Sequence, residues 1–290
     1  MTDRFERQER FFGREGQEKL RAAHAAVVGV GGLGTHVVQQ LALLGVGRLD
    51  LIDSEELATT DRNRYVGARH DDPVAGTWKV DLGERIVNGI DSGITVEKVR
   101  DTLVSERGFS TVIEAGYVFG CLDSEGARLV LTELCSAYEK PYIDVASDIV
   151  PGVPPSYGGQ VCVAWDGNGC LVCLGLLDVA EAQAELAGVG DRRNRNALYG
   201  VQREVLGRSG PSVVSINGVV ASLGITEFMV GVSRLRAPQR VLTYRGHVGT
   251  VGISRDEPAP DCYYCKGIRG RRDAADVQRY VRAGVDAFLR

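Results

Sequence analysis

The stretch AAVVGVGGLGTHVVQQLALLGVGRLDLIDSE, residues 25–55, decides the fold. A short apolar, β-branched run at 25–28 meets a glycine turn. A segment of helical period follows, with Val37, Val38, Leu41 and Leu44 apolar. Gly45 and Gly47 close that helix, and RLDLIDSE returns to a buried strand, so the whole reads as a βαβ unit. Gly29, Gly31 and Gly34 supply a GxGxxG turn, which lets phosphate approach backbone N–H groups at a helix N-terminus. Asp53 stands at the tip of the second strand, where an acidic side chain accepts hydrogen bonds from ribose hydroxyls. Strand, turn, helix, strand and acid in that order read as a nucleotide site, although the pattern does not say which nucleotide. Its bland alternative is a structural glycine turn.

Outward from this unit the α/β alternation continues. GTWKVDLGERIVNG reads as a helix and ITVEKV as a strand. YVFGCLD reads as a strand, GARLVLTELCSAYEK as a helix and PYIDVAS as a strand. Upstream, residues 4–22 suggest two short helical pieces broken at Gly13 and Gly16. After residue 150 the texture changes to a turn, a strand and a loop. Residues 174–210 are polar and read as a long connecting excursion. PSVVSINGVVASLGITEFMVGVS reads as a buried helix, and VLTYRGHVGTVGIS as one or two strands. The expected fold is α/β and Rossmann-like, a mostly parallel central sheet flanked by helices. It is read as a single domain over 1–290: a helical arm (1–24), a nucleotide-binding part (25–150), and a part (151–290) whose CxxC pairs, Cys170/Cys173 and Cys262/Cys265, are suited to zinc, with substrate binding expected there too.

Composition removes some classes. A formal net charge of -4 argues against DNA or RNA as a partner, because a nucleic-acid footprint calls for a basic surface. The charged opening MTDRFERQERFFGREGQ has no apolar signal core. No stretch of about 18 apolar residues follows, so no membrane association and a cytoplasmic location are expected.

After Asp53 come Asn63 and Arg64, then Lys79, then Asp123 at the end of the fourth strand and Arg128 beyond it. The carboxyl edge of an open parallel sheet is where ligands bind. Cations there neutralise phosphates, and a carboxylate such as Asp123 can hold Mg²⁺. That set fits a triphosphate better than hydride chemistry. Taken singly each is bland, since an exposed Arg or Lys is usually a solvated charge. An NAD-dependent oxidoreductase is the rival from another class, but no hydride-transfer acid or base stands out.

Seven cysteines in a reducing compartment need a reason other than disulfides. Cys170/Cys173 and Cys262/Cys265 form two CxxC knuckles, suited together to a tetrahedral Cys₄ zinc site. Redox chemistry is the alternative, although a thioredoxin-type motif needs only one such pair. Cys121, Cys135 and Cys162 lie in apolar runs and read as buried hydrophobes. The four histidines are dispersed and form no triad.

The ordered set RFERQERFFGREGQEKL, VVGVGGLGTHVVQQLALLGVGRLDLIDSEEL, DRNR, GTWKV, CLDS, PYIDV and both CxxC pairs resembles the ubiquitin-activating, ThiF/MoeB-type adenylyltransferase superfamily over nearly the whole chain. The resemblance implies that the loop of Gly29, Gly31, Gly32 and Gly34 binds ATP, with Asp53 on the ribose. It places Asn63, Arg64 and Lys79 near the phosphates, and Asp123 on magnesium and catalysis. Its RxxRQ opening matches Arg4 and Arg7, implying a homodimer in which Arg7 reaches the partner's ATP. The implied reaction is adenylation of a carboxylate, that of a ubiquitin-like protein or peptide C-terminus. A small-molecule or tRNA-linked carboxylate is the alternative. Two departures stand out. Asp123 is followed by Ser124 where the family usually has Asn. Residues 174–210 hold no cysteine, which disfavours a thioester carried on that crossover segment.

Overall fold

The computed structural model describes residues 4–167, 169–187 and 210–283. Its elements in chain order are α1 (Glu6–Ala22), β1 (His24–Val28), α2 (Gly34–Leu44), β2 (Arg48–Ile52), α3 (Lys79–Ile90), β3 (Thr95–Val99), α4 (Glu106–Glu114), β4 (Tyr117–Gly120), α5 (Glu125–Ala137), β5 (Tyr142–Val150), β6 (Ser156–Ala164), α6 (Val179–Leu186), α7 (Val214–Ser233), β7 (Val241–Arg245) and β8 (Thr250–Ile253).

Eight strands make one sheet in the order β3-β2-β1-β4-β5-β6-β7-β8. Pairings from β3 through β5 are parallel, and β6, β7 and β8 extend the sheet antiparallel. The parallel strands are joined by helices, whereas β7 and β8 need only a short turn. β1 lies between β2 and β4, so the chain changes direction across the sheet there. An open α/β sheet leaves a crevice at such a switch point, beyond the carboxyl ends of the strands.

Two cores follow from the helices covering both faces. On one face α1, α2, α3 and α7 bury Val27, Leu49, Leu51, Val37, Leu41 and Phe228; on the other, α4 and α5 cover Ala26, Val28, Val118, Phe109, Leu131 and Leu134. β1 is apolar and buried from Ala25 to Val28 because both of its faces are covered there. Phe228 of α7 meets Phe119 and Tyr117 of β4 edge-on, with ring centres 5.4 and 5.2 Å away. Burying each such side chain contributes about 1.5–3 kcal/mol.

α7 passes a length-and-composition test for a membrane span. It packs on β5, β6, α1 and α2, and Val220, Ala221, Ile225 and Phe228 are buried there, so it serves as the core helix of this fold.

The structure departs from the sequence reading in three places. The N-terminal arm is two helical pieces that meet at a non-helical Gly13 (φ 77°), as expected, but Gly16 does not break the second piece. Gly16 is a packing glycine instead: a Cβ there would lie 2.9 Å from Phe12 Cδ2 and 3.2 Å from Ser233 Cβ. α4 and α6 were not anticipated, and α6 occupies the start of the excursion after residue 174. The rest of that cysteine-free crossover, 188–209, lies outside the described residues.

Candidate active site and metal centre

β1 ends at Val28, and the chain turns at once through Gly29 with φ 89°, where a Cβ would lie 2.5 Å from the Cys121 carbonyl oxygen. Gly34 opens α2 so close to that turn that a Cβ would come within 1.9 Å of Gly29 O. Both positions admit only glycine. In the first turn of α2, Thr35 N donates to Gly31 O at 2.9 Å, and His36 N and Val37 N donate to Leu33 O at 3.1 and 3.3 Å. The positive end of the helix dipole at this turn suits an anion. Asp53, just past β2, braces the turn. Its Oδ2 accepts from Val30 N at 2.8 Å and its Oδ1 from Glu55 N at 2.9 Å. Burial pushes the Asp53 carboxyl pKa up, opposed by Lys79 and by these backbone donors.

Gly29, Gly31, Gly32, Asp53, Arg64, Lys79 and Asp123 all line one cleft of about 1270 Å³ at the switch point. Arg64 lays its stem over Gly32; its Nη2 holds Asp61 Oδ1 at 2.7 Å and its guanidinium sits 5.3 Å from the centre of the Tyr65 ring. Lys79, nearly buried at the start of α3, donates to Glu55 and lies 5.4 Å from the same ring centre. Burial acts most strongly on Lys79 and opposes its charge. Asp53, Tyr65 and Glu55 together outweigh that effect and hold its pKa above the ordinary lysine range. Tyr65 is thus a platform between the two cations, under Gly31.

Asp123 is exposed in the turn after β4 and lines the cleft. Ser124 caps α5: its Oγ accepts from Ala127 N at 3.2 Å and donates to Glu185 Oε2 at 2.7 Å. Glu185 of α6 also takes Gly126 N at 2.7 Å. Serine in place of the usual asparagine therefore anchors α6 over the turn that carries Asp123.

Three expected residues are not among those lining the cleft. Gly34 is buried behind the turn, Asn63 is exposed beside the loop, and Arg7 is exposed on α1. In the loop of Asn63 it is Asp61, 4% exposed, that lines the cleft and orders the backbone by accepting from Ala58 N at 2.9 Å. Arg128 lines it too but is spent on Asp144, with contacts of 2.7 and 3.2 Å. Tyr65, Asp61, Ser147 and Asn217 are cleft residues that the sequence reading did not single out.

Cys121 lines the cleft, but burial, with Asp144 adding to it, holds its thiol well above the usual range. Cys135 and Cys162 are buried in the core with their pKa values pushed up by burial. None of the three is poised as a thiolate nucleophile.

The two CxxC knuckles meet in space. Sulfur separations are 3.8 Å for Cys170–Cys173, 3.7 Å for Cys170–Cys262 and 3.8 Å for Cys173–Cys265. All four sulfurs lie within 4.8 Å of one another. Disulfide sulfurs would be about 2.05 Å apart. Four thiolates about 2.3 Å from a central zinc would be separated by about 3.8 Å, so the donor set fits that ion in both chemistry and spacing. The knuckles come from the loop after β6 and from the C-terminal region, and Lys266 Nζ donating to Gly167 O at 2.8 Å holds them together.

A glycine turn at the switch point, two cations on an aromatic platform and a separate Cys₄ cluster able to hold a metal ion define a nucleotide-binding α/β protein. The chain belongs to the ThiF family, whose model matches residues 5–264. Protein HesA, vegetative, of Trichormus variabilis is 34% identical over 152 residues, 50% of this chain and 57% of that protein. Sulfur carrier protein ThiS adenylyltransferase of Bacillus subtilis is 28% identical over 192 residues, 65% of this chain and 55% of that protein. Adenylyltransferase and sulfurtransferase MOCS3-1 of Zea mays is 26% identical over 259 residues, 88% of this chain and 49% of that protein. The chain thus spans about half the length of these curated relatives. A crystal structure of E. coli MccB with ATP has the same fold, with a TM-score of 0.68 at 19% identity, over 91% of this chain and 75% of that one.

Proposed function

We propose that this chain is an ATP-dependent adenylyltransferase: a substrate carboxylate oxygen attacks the α-phosphorus of ATP, the bond to the bridging oxygen breaks, and pyrophosphate leaves with an acyl-adenylate formed. The observation that carries this reading is the convergence of the glycine turn, Asp53, Arg64, Lys79 and Asp123 on one cleft. Asp53 receives the ribose. The N-terminus of α2 receives a phosphate. Arg64 and Lys79 neutralise the charge that builds on the departing pyrophosphate, and are preorganised for it by Tyr65 and by their acidic partners. Asp123 offers a hard oxygen suited to Mg²⁺, which when bound would polarise the phosphoryl oxygens. No covalent nucleophile is required for this half-reaction.

The carboxylate is proposed to be the C-terminus of a ubiquitin-like protein or peptide. Two observations support this. The cleft runs on from the nucleotide end along β5, β6 and β7, past Ser147, Gly159 and Tyr244, a channel open to an extended tail. Among relatives, one adenylyltransferase is named for the sulfur carrier protein ThiS, and structures of MccB carry MccA. The elevated thiols of Cys121, Cys135 and Cys162 favour release of the adenylate to an outside acceptor over a thioester on this chain. Zinc is assigned to the Cys₄ knuckle as a structural ion. The active unit is proposed to be a homodimer in which exposed Arg7 crosses to the neighbour's γ-phosphate.

ATP–pyrophosphate exchange against a panel of carboxylates tests the reading. The panel includes Gly-Gly-ending proteins, short peptides and small acids. Exchange dependent on one polypeptide C-terminus supports it. Exchange with a small acid alone moves the substrate class, and ATP turnover without any exchange rejects adenylation.

A further inference from the structure

α7 is apolar almost throughout, yet its first turns carry Asn217, which is 2% exposed and lines the cleft. Burying an amide costs free energy unless its groups are paired. Two of its groups are paired here. Ser147 Oγ of β5 donates to Asn217 Oδ1 at 2.8 Å, and Asn217 Nδ2 donates to Ser212 Oγ at 3.0 Å. A carboxamide nitrogen has two donors, so one N–H is without a partner among the described residues. That nitrogen presses on the phosphate turn: a Cβ built on Gly32 would lie 2.9 Å from Nδ2 and 3.1 Å from Arg64 Cγ. Gly32 is therefore flanked by Arg64 on one side and the Asn217 amide on the other.

This places a fixed, nearly desolvated donor between the glycine turn and β5, the strand that leads into the open channel. We infer that Asn217 is a nucleotide-binding residue whose free N–H donates to a phosphate oxygen at the Gly32 end of the cleft. Ser147 and Ser212 are its positioning residues and fix which way the amide faces. The arrangement joins three parts of the site: the turn that holds phosphate, the strand beside the incoming carboxylate, and the segment at 210–213 leading into α7. A donor oriented by packing gains most where water is excluded, and a hydrogen bond to a charged oxygen contributes more than one between neutral groups.

The inference rests on the adenylation reading only for the identity of the cleft's ligand, and its test needs no substrate. Calorimetric titration with the non-hydrolysable ATP analogue AMPCPP and Mg²⁺ compares wild type with Asn217→Asp and Asn217→Ala. Thermal melts of all three are run in parallel. Aspartate keeps the shape and the acceptor for Ser147 but removes both N–H donors and adds negative charge. Affinity is expected to fall about tenfold or more in Asn217→Asp, and by less in Asn217→Ala, since losing a charge-assisted hydrogen bond has that size. A purely structural role would lower the melting temperature and leave the affinity of the folded fraction unchanged. Binding within twofold of wild type in folded Asn217→Asp overturns the inference; should that variant fail to fold, Asn217→Ala decides by the same criterion. A wild type that does not bind the analogue rejects the adenylation reading itself.

Discussion

Arg128 and Asp144 form a two-contact ion pair beneath the cleft, at 2.7 and 3.2 Å, and are only 5% and 1% exposed. Tyr142 donates to the same carboxylate at 2.8 Å and Glu125 holds the other side of the guanidinium at 2.5 Å. Removing one partner of a buried pair leaves an uncompensated charge, which costs about 3–5 kcal/mol. Arg128→Met is therefore expected to shift the urea midpoint sharply downward with an unchanged m-value. Asp144→Leu in the same chain should recover much of the loss. A single variant within about 0.5 kcal/mol of wild type would show that the pair contributes little to stability.

Acid should weaken the loop that carries Arg64. Arg85 holds Asp72 through two contacts of 2.7 Å, and this hydrogen bonding takes the Asp72 carboxyl down to about 2. A carboxyl depressed in the folded state stabilises it fully above its unfolded pKa, and that stability disappears as pH falls through the folded value. The wild type should thus lose stability between about pH 4 and pH 2 more steeply than Asp72→Asn. Chemical denaturation across that range measures the difference, and parallel curves would exclude Asp72 as a contributor.

The metal clamp is expected to bind about one zinc per chain, since four thiolates at these separations complete one tetrahedron. Cys262→Ser should lose the ion and lower the melting temperature, because structural zinc contributes to folding free energy. Elemental analysis that finds neither zinc nor iron in carefully purified wild type would refute the assignment.

The two cleft cations should show up in catalysis with little change in folding. Lys79→Ala and Arg64→Ala are expected to slow pyrophosphate exchange about 100- to 1,000-fold, the usual consequence of losing one preorganised charge contact. Asp123→Ala, at an exposed position, should abolish exchange and retain the wild-type melting temperature and metal content. Near wild-type exchange in Asp123→Ala would remove that residue from the chemistry.

Much of this was legible locally. The glycine turn, α2 and Asp53 could be read because their constraints are short-range: Gly34 faces Gly29, and Asp53 reaches Val30 across one β-strand pairing. The Cys₄ set could be read because each knuckle is local and only their meeting is distant. The role of Arg128 was not legible because nothing nearby in sequence announces Asp144 as its partner. Gly16 looked like a helix breaker because its packing partner, Ser233, lies at the far end of α7. α4 was overlooked because it is a nine-residue helix with few apolar positions, although Ser105 is a readable cap that accepts from Gly108 N at 2.9 Å. Asn217 had a signal, a lone amide in an apolar helix, but its meaning depends on Ser147 and Gly32, which only the fold brings near.

The trans role of Arg7 is open to complementation. Inactive Arg7→Ala and inactive Asp123→Ala are mixed and allowed to exchange subunits. A mixed dimer holds one site with both residues intact, so partial exchange activity should return. A mixture that stays inactive although mixed dimers form would place Arg7 elsewhere.

Attack at the α-phosphorus is the central claim, and isotope transfer tests it most directly. A carboxylate that supports exchange is labelled with ¹⁸O in its carboxyl group and turned over with ATP. The adenylate is then passed to an acceptor and the phosphorus products are weighed by mass spectrometry. Adenylation predicts one ¹⁸O in AMP and none in pyrophosphate. Label in inorganic phosphate, with ADP as the nucleotide product, would contradict it.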